Sequence, residues 1–192
     1  ETINPKDQFI HIVSCNTHNI AVLIKTLAIE NNNKNNLKEG RFLCIRRAND
    51  ISQVEKFIPS PEVGAHKDKK MGTHHAVDVH HLYKTLGVNL NVFSSALKLN
   101  TQYMHSIWYD LKLKNKTSVE KVKKNFIDDP RVAVTNKKAA NLVFSFGREH
   151  GHYGKILNQT VAVLPTIHVL NDNEVIGFCF TPQDGNSILS SI

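Results

Sequence analysis

The stretch FIHIVSCNTHNIAVLIKTL, residues 9–27, sets Cys15 between an apolar run and a polar turn that opens onto Ile20, Leu23, Ile24 and Leu27 at helical spacing. A cysteine at a strand-to-helix turn lies where unpaired backbone amides and the positive end of a helix dipole converge. Both stabilise a thiolate, and the same amides can hold a developing oxyanion, so the place suits a nucleophile. Free cysteines are also common as small core hydrophobes, and position alone leaves Cys15 open between the two roles. Cys44 and Cys179, deep inside apolar runs, are expected to be core residues.

A cysteine nucleophile needs a partner for its proton, and the chain offers 11 histidines. His105 stands out because it begins the alternation His105, Ile107, Tyr109, Leu111, Leu113, which puts a rigidly held imidazole at one end of a buried stripe. His18, three residues after Cys15, falls on the first helical turn and reads as a neighbour. Arg46, Arg47, His74 and His75 form a second group with anion-binding chemistry, since guanidinium groups grip phosphate bidentately and imidazoles add donors. The histidine-rich stretch HKDKKMGTHHAVDVHH lacks the i, i+4 pairing between His75 and His80 or His81 that places two ligands on one helical face. It also has no cysteine pair, and no metal is expected there.

These residues need elements to position them. Residues 9–14 are expected to form a strand, with Asn16 and Thr17 as caps of the helix that follows. The tract ENNNKNNLKEG reads as a loop, and a strand is expected over residues 41–47. Residues 49–73, with Pro59, Pro61, Gly64 and Gly72, read as a long irregular excursion. A helix then carries Val79, Leu82, Tyr83 and Leu86 on one side and stops at Gly87. Strands are expected around 88–97 and 103–113, a capped amphipathic helix in TSVEKVKKNFIDDP, and a strand in RVAVT. Residues 137–158 are ambiguous, and TVAVLPTIHVLNDNEVIGFCF reads as strands joined by a hairpin over Asn171, Asp172 and Asn173. The expected class is α+β: a mixed, mostly antiparallel sheet with helices packed on one face.

The 192 residues suffice for one domain, and 41% apolar content builds a core. No run approaches the roughly 20 apolar residues of a membrane helix, and no leader pattern opens the chain. Three widely spaced cysteines are unlike a disulfide framework, so a reducing, cytoplasmic setting is expected. The net charge of +7 comes from scattered Lys and Arg without a stacking-aromatic motif. It favours small phosphorylated anions, and no nucleic-acid partner is expected.

Five segments, VSCNT at 13–17, IRRAND at 45–50, THHAVDV at 73–79, TQYMH at 101–105 and DDPRVAV at 128–134, resemble in order and rough spacing the catalytic domain of archaeal-type glyceraldehyde-3-phosphate dehydrogenase. The resemblance implies that Cys15 attacks the substrate aldehyde and that His105 is the base taking the hydroxyl proton. It further implies that Thr17 lies beside substrate or inorganic phosphate, that Arg47, with Arg46, His74 and His75, belongs to a phosphate site, and that Asn16 stands by the cofactor. The implied reaction forms a thiohemiacetal, passes hydride to NAD or NADP, and releases the thioester to phosphate as 1,3-bisphosphoglycerate. The implied partners are glyceraldehyde 3-phosphate, inorganic phosphate, an N-terminal nucleotide-binding domain and further copies of the chain, up to a tetramer.

The chain itself carries no G-x-G-x-x-G fingerprint. Residues 1–192 are therefore expected to be a single catalytic domain, with the dinucleotide-binding domain outside it and little activity without that domain. His18 stands where the archaeal family has a second threonine, and Pro182 where it has a histidine. The competing expectation is a non-enzymatic descendant of the fold that binds phosphorylated ligands or nucleic acid.

Overall fold

The computed structural model describes residues 6, 8, 14–48, 57–149 and 160–182. Most of the strand expected over residues 9–14 lies outside the described residues. The elements are α1 (Cys15–Ala28), β1 (Ile29–Glu30), β2 (Lys34–Asn35), β3 (Leu37–Arg46), β4 (Glu62–Val63), α2 (His74–Lys84), β5 (Val92–Lys98) and β6 (His105–Leu113). They continue as α3 (Val119–Asp128), β7 (Val132–Thr135), α4 (Ala140–Glu149), β8 (Thr160–Val163), β9 (His168–Leu170) and β10 (Glu174–Thr181).

Among the described residues, eight strands form one sheet in the order β4-β5-β3-β6-β10-β8-β7, with β9 added on β10. The β3–β5 and β7–β8 pairs are parallel, and β4–β5, β3–β6, β6–β10, β8–β10 and β9–β10 are antiparallel. The class is the expected α+β with a mixed sheet.

The centre is β6, whose inward residues Ile107, Tyr109 and Leu111 are fully buried. Ile20, Leu23, Ile24 and Leu27 of α1, Val79 and Tyr83 of α2, and Val122 and Phe126 of α3 join them in one cluster. Tyr83 Oη donates to the carbonyl of Ala21 at 2.8 Å and ties α2 to α1. Alternate residues of the outer strands point the other way: Val161 and Val163 of β8, Ala133 of β7 and Phe180 of β10 pack with Val143 of α4. Helices α1 to α3 thus share one face, and α4 covers the far end of the other.

Local signals explain most boundaries. Ser118 caps α3 by accepting from the Lys121 amide at 3.3 Å. Gly87, at φ 74°, closes α2 as expected. Leu86 lies past the helix end and is exposed, instead of continuing the apolar side. Asn171 and Asp172, at φ 50° and 60°, make the hairpin between β9 and β10.

Three boundaries differ from expectation. Strand β3 begins at Leu37, inside the tract read as a loop, because Leu37 and Gly40 pair with Leu113 and Leu111 of β6. Strand β5 begins only at Val92, though Val88 and Leu90 are buried before it. Strand β6 begins at His105, since Tyr103 at φ 76° breaks the extended run.

Gly177 of β10 lies directly opposite Tyr109 in the ladder, and a Cβ there would collide with the tyrosine hydroxyl. That hydroxyl is buried with no hydrogen-bond partner among the described residues, and burial pushes its pKa up. Gly177→Ala is expected to cost about 1–3 kcal/mol by overpacking. Tyr109→Phe, which removes an unpaired buried hydroxyl, should be neutral or gain about 1 kcal/mol. Urea unfolding of both variants checks the pair.

Candidate active site

Helix α1 starts at Cys15 itself, with Ser14 extended at φ −60° and ψ 154° in the capping position. Asn16 and Thr17, expected as caps, are instead buried in the first turn. Ser14 does not cap with its side chain. Its Oγ is 3.0 Å from Thr17 Oγ1 and 3.3 Å from Nδ1 of His75. Cys15 therefore occupies the first helical position, half-buried, where the leading amides have no acceptor within the helix. Cys44 and Cys179 are core residues, as expected. Burial pushes the Cys44 thiol up to about 12, with a further push from Cys15, which places these two sulfurs in the same region.

His105, the first residue of β6, is buried, and its Nδ1 accepts from the Arg47 amide at 2.9 Å. With Nδ1 an acceptor, the neutral ring carries its proton on Nε2. Arg47, just past the end of β3, is also buried, and its Nη1 donates to the carbonyl of Tyr103 at 2.9 Å. Tyr103 is thus drawn into service in a left-handed conformation, its ring 5.6 Å from that of Phe144. Sequence reasoning missed this residue; its only signal is adjacency to the Met104–His105 pair.

Arg46 points elsewhere. It is exposed and lines a cavity of about 550 Å³ with Lys67, Asp68, Thr73, His74 and His75. The wall of this cavity depends on Gly72, at φ 81°, where a Cβ would collide with the Ser94 carbonyl. Asp68 braces the turn by accepting from the Lys70 and Met71 amides, both at 2.8 Å, and those bonds hold its carboxyl below the ordinary range.

His74 is exposed and His75 buried, with ring centroids 3.9 Å apart. Burial, reinforced by the neighbouring His74 and Arg46, lowers the His75 pKa to about 3. His75 therefore stays neutral, and its Nε2 is buried with no partner among the described residues. Asn16 likewise has a buried Oδ1 with no such partner. His18 faces a different cavity of about 360 Å³ with Lys25, Tyr83 and Arg131, and burial lowers its pKa.

Ser14, the residue before Cys15, thus joins Thr17 to His75, and His75 with His74, Arg46, His105 and the Arg47 amide makes one neighbourhood. His80, bonded to the Leu90 carbonyl at 3.0 Å, takes no part in it. Among the described residues no group of three or more His, Cys, Asp or Glu side chains could hold a metal ion. Among the same residues no helix is long and apolar enough to cross a membrane. Such an arrangement offers a thiol at a helix start, an imidazole donor and an anion-sized cationic cavity.

No protein-family model matches the chain. It is similar to glyceraldehyde-3-phosphate dehydrogenase of Sulfolobus acidocaldarius, 28% identical over 172 residues, covering 87% of this chain and 47% of that protein. The enzyme of the same name from Methanobacterium formicicum is 27% identical, over 68% of this chain and 36% of its own length. Glyceraldehyde-3-phosphate dehydrogenase 1 of Methanosarcina barkeri is 29% identical, over 64% and 33%. The chain thus resembles a dehydrogenase domain and spans less than half the length of each of these relatives.

The depressed pKa of His75 makes folding pH-dependent in a definite direction. Unfolded, the ring protonates as pH falls through about 6.5, whereas the folded ring resists until about 3. Stability is therefore fully present above about 6.5 and lost progressively below it. Between pH 7 and pH 5 the expected loss from this group is about 1–2 kcal/mol. His75→Gln should flatten that slope in urea titrations at the two pH values.

Proposed function

We propose that this chain is the catalytic part of a phosphorylating aldehyde dehydrogenase that oxidises glyceraldehyde 3-phosphate to 1,3-bisphosphoglycerate. The observation that carries the reading is that Ser14, beside Cys15 at the start of α1, lies 3.3 Å from His75, which lines the cavity with Arg46 and His74 and has His105 among its electrostatic neighbours. The archaeal relatives of the same name support it, within the part of their length that they share with this chain.

In this reading the Cys15 thiolate, favoured by the positive end of the α1 helix dipole, adds to the aldehyde carbon and forms a carbon–sulfur bond. The negative charge moves to the aldehyde oxygen as an alkoxide. His105 then acts through Nε2–H as a donor to that oxygen. Acting as the base named by the resemblance would require an unprotonated Nε2, and so the loss of the bond from the Arg47 amide. Arg47 is accordingly assigned to holding His105, and Arg46, with Thr17 and His74, to the anionic groups of substrate and phosphate. His75, neutral, contributes hydrogen bonding without charge.

A bound nicotinamide dinucleotide supplies the hydride acceptor. The unpartnered Oδ1 of Asn16 fits it as the chain's own side-chain acceptor. The oxidised carbon stays on Cys15 as a thioester. Phosphate attacks that carbon, the carbon–sulfur bond breaks, the thiolate returns, and the acyl phosphate leaves. On the sheet face away from α1, Leu43, Trp108 and Phe178 lie side by side in register, and this apolar row is assigned to contacts between copies of the chain.

Alkylation with iodoacetamide, followed site by site with mass spectrometry, tests the reading. Cys15 should react at least about 10-fold faster than Cys44 and Cys179, whose burial withholds the thiolate. Inorganic phosphate and glyceraldehyde 3-phosphate should both protect Cys15, and Arg46→Ala should abolish the protection by phosphate. Slow, pH-independent labelling of Cys15 without protection would sink the enzyme reading and favour a non-enzymatic binding protein.

A further inference from the structure

We infer that Asn19 is a positioning residue: it locks α1, and with it Cys15, onto the strand rung that carries His105. This rests on Cys15 being the nucleophile proposed above. Asn19 is fully buried four residues after Cys15, so the two lie one above the other on the helix. All the hydrogen-bonding capacity of its amide is used. Oδ1 accepts from Thr160 Oγ1 at 3.1 Å and from Cys179 Sγ at 3.3 Å. Nδ2 donates to Thr181 Oγ1 and to the carbonyl of Phe180, the latter at 3.4 Å. Thr160 and Thr181 are themselves fully buried.

The strand positions of these partners give the hub its meaning. Thr181 of β10 is the direct ladder partner of His105 on β6, and Cys179 is the partner of Ile107. Asn19 therefore joins the helix that presents Cys15 to the same rung that presents His105. The contacts of α1 through Ile20, Leu23, Ile24 and Leu27 are apolar and non-directional, and its bonds from Tyr83 to the Ala21 carbonyl and from Thr26 to Asp129 hold it to α2 and to the end of α3, not to β10. Hydrogen bonds are directional, and breaking one here strands a buried polar group. A planar amide alone among side chains offers two acceptor and two donor sites of this kind. A misplacement of about 1 Å at a reacting group costs about 100-fold in rate, so fixing the helix matters to chemistry and not only to stability.

The test compares Asn19→Ala, Thr181→Val and Tyr83→Phe in the chain as it stands. The readouts are urea unfolding and the pH profile of Cys15 alkylation by iodoacetamide. Asn19→Ala and Thr181→Val should each slow alkylation at pH 7 about 10-fold and move the profile upward, the equivalent of about 1.4 kcal/mol. Tyr83→Phe, which removes the bond from Tyr83 to the Ala21 carbonyl that holds α1 to α2 and not to the His105 rung, should lower stability and leave the profile in place. Should Asn19→Ala fail to fold, Thr181→Val reads the same question with one bond removed. An unchanged profile in Asn19→Ala or Thr181→Val, with stability lowered as in Tyr83→Phe, would make Asn19 a purely structural residue and overturn the inference. Wild-type Cys15 that reacts no faster than Cys44 would instead overturn the nucleophile reading, and the positioning role with it.

Discussion

The one-sided burial of β6 is the constraint on which the rest depends. Its inward residues, from His105 through Leu113, can be removed from water only if strands flank both edges and a helix covers the face. Strands β3 and β10 supply the edges, and both run antiparallel to β6. The end of β3, the start of β6 and the end of β10 therefore meet at one end of the sheet. Arg46 and Arg47, His105 and Thr181 are brought together by that geometry, and the start of α1 lies at the same end.

Charge at that end is divided by burial. Arg47 is sealed under the surface and works on protein atoms, through its amide on His105 and its guanidinium on the Tyr103 carbonyl. Arg46, one residue earlier on the opposite face of the strand, looks into the cavity with His74. Beside that cavity His75 is held neutral, because a charge there would be desolvated and, secondarily, repelled by His74 and Arg46. The outcome is a cationic cavity beside a half-buried thiol, with an uncharged imidazole at the boundary.

Much of this was legible locally. The alternation from His105 to Leu113, the Ser118 cap, the stop at Gly87 and the turn at Asn171–Asn173 each express a short-range rule, and each holds. Cys44 and Cys179 were readable as core from their apolar neighbours. The early start of β3 was not, since an asparagine-rich tract enters the sheet only because Leu37 finds Leu113 across the ladder. Nor was Asn19, whose signal was a polar residue on the inward side of an otherwise apolar helix.

By itself, then, the sequence determined the residue types of the site, the periodicity of the elements and the class of fold, because side-chain chemistry and local backbone preference are properties of short segments. The tertiary structure alone decided which arginine faces the cavity and which braces His105. It also decided which nitrogen of that ring carries the proton, and that Asn19 joins α1 to the rung of Thr181. These are contacts between residues far apart in the chain, and they exist only once the β6 stripe has been buried.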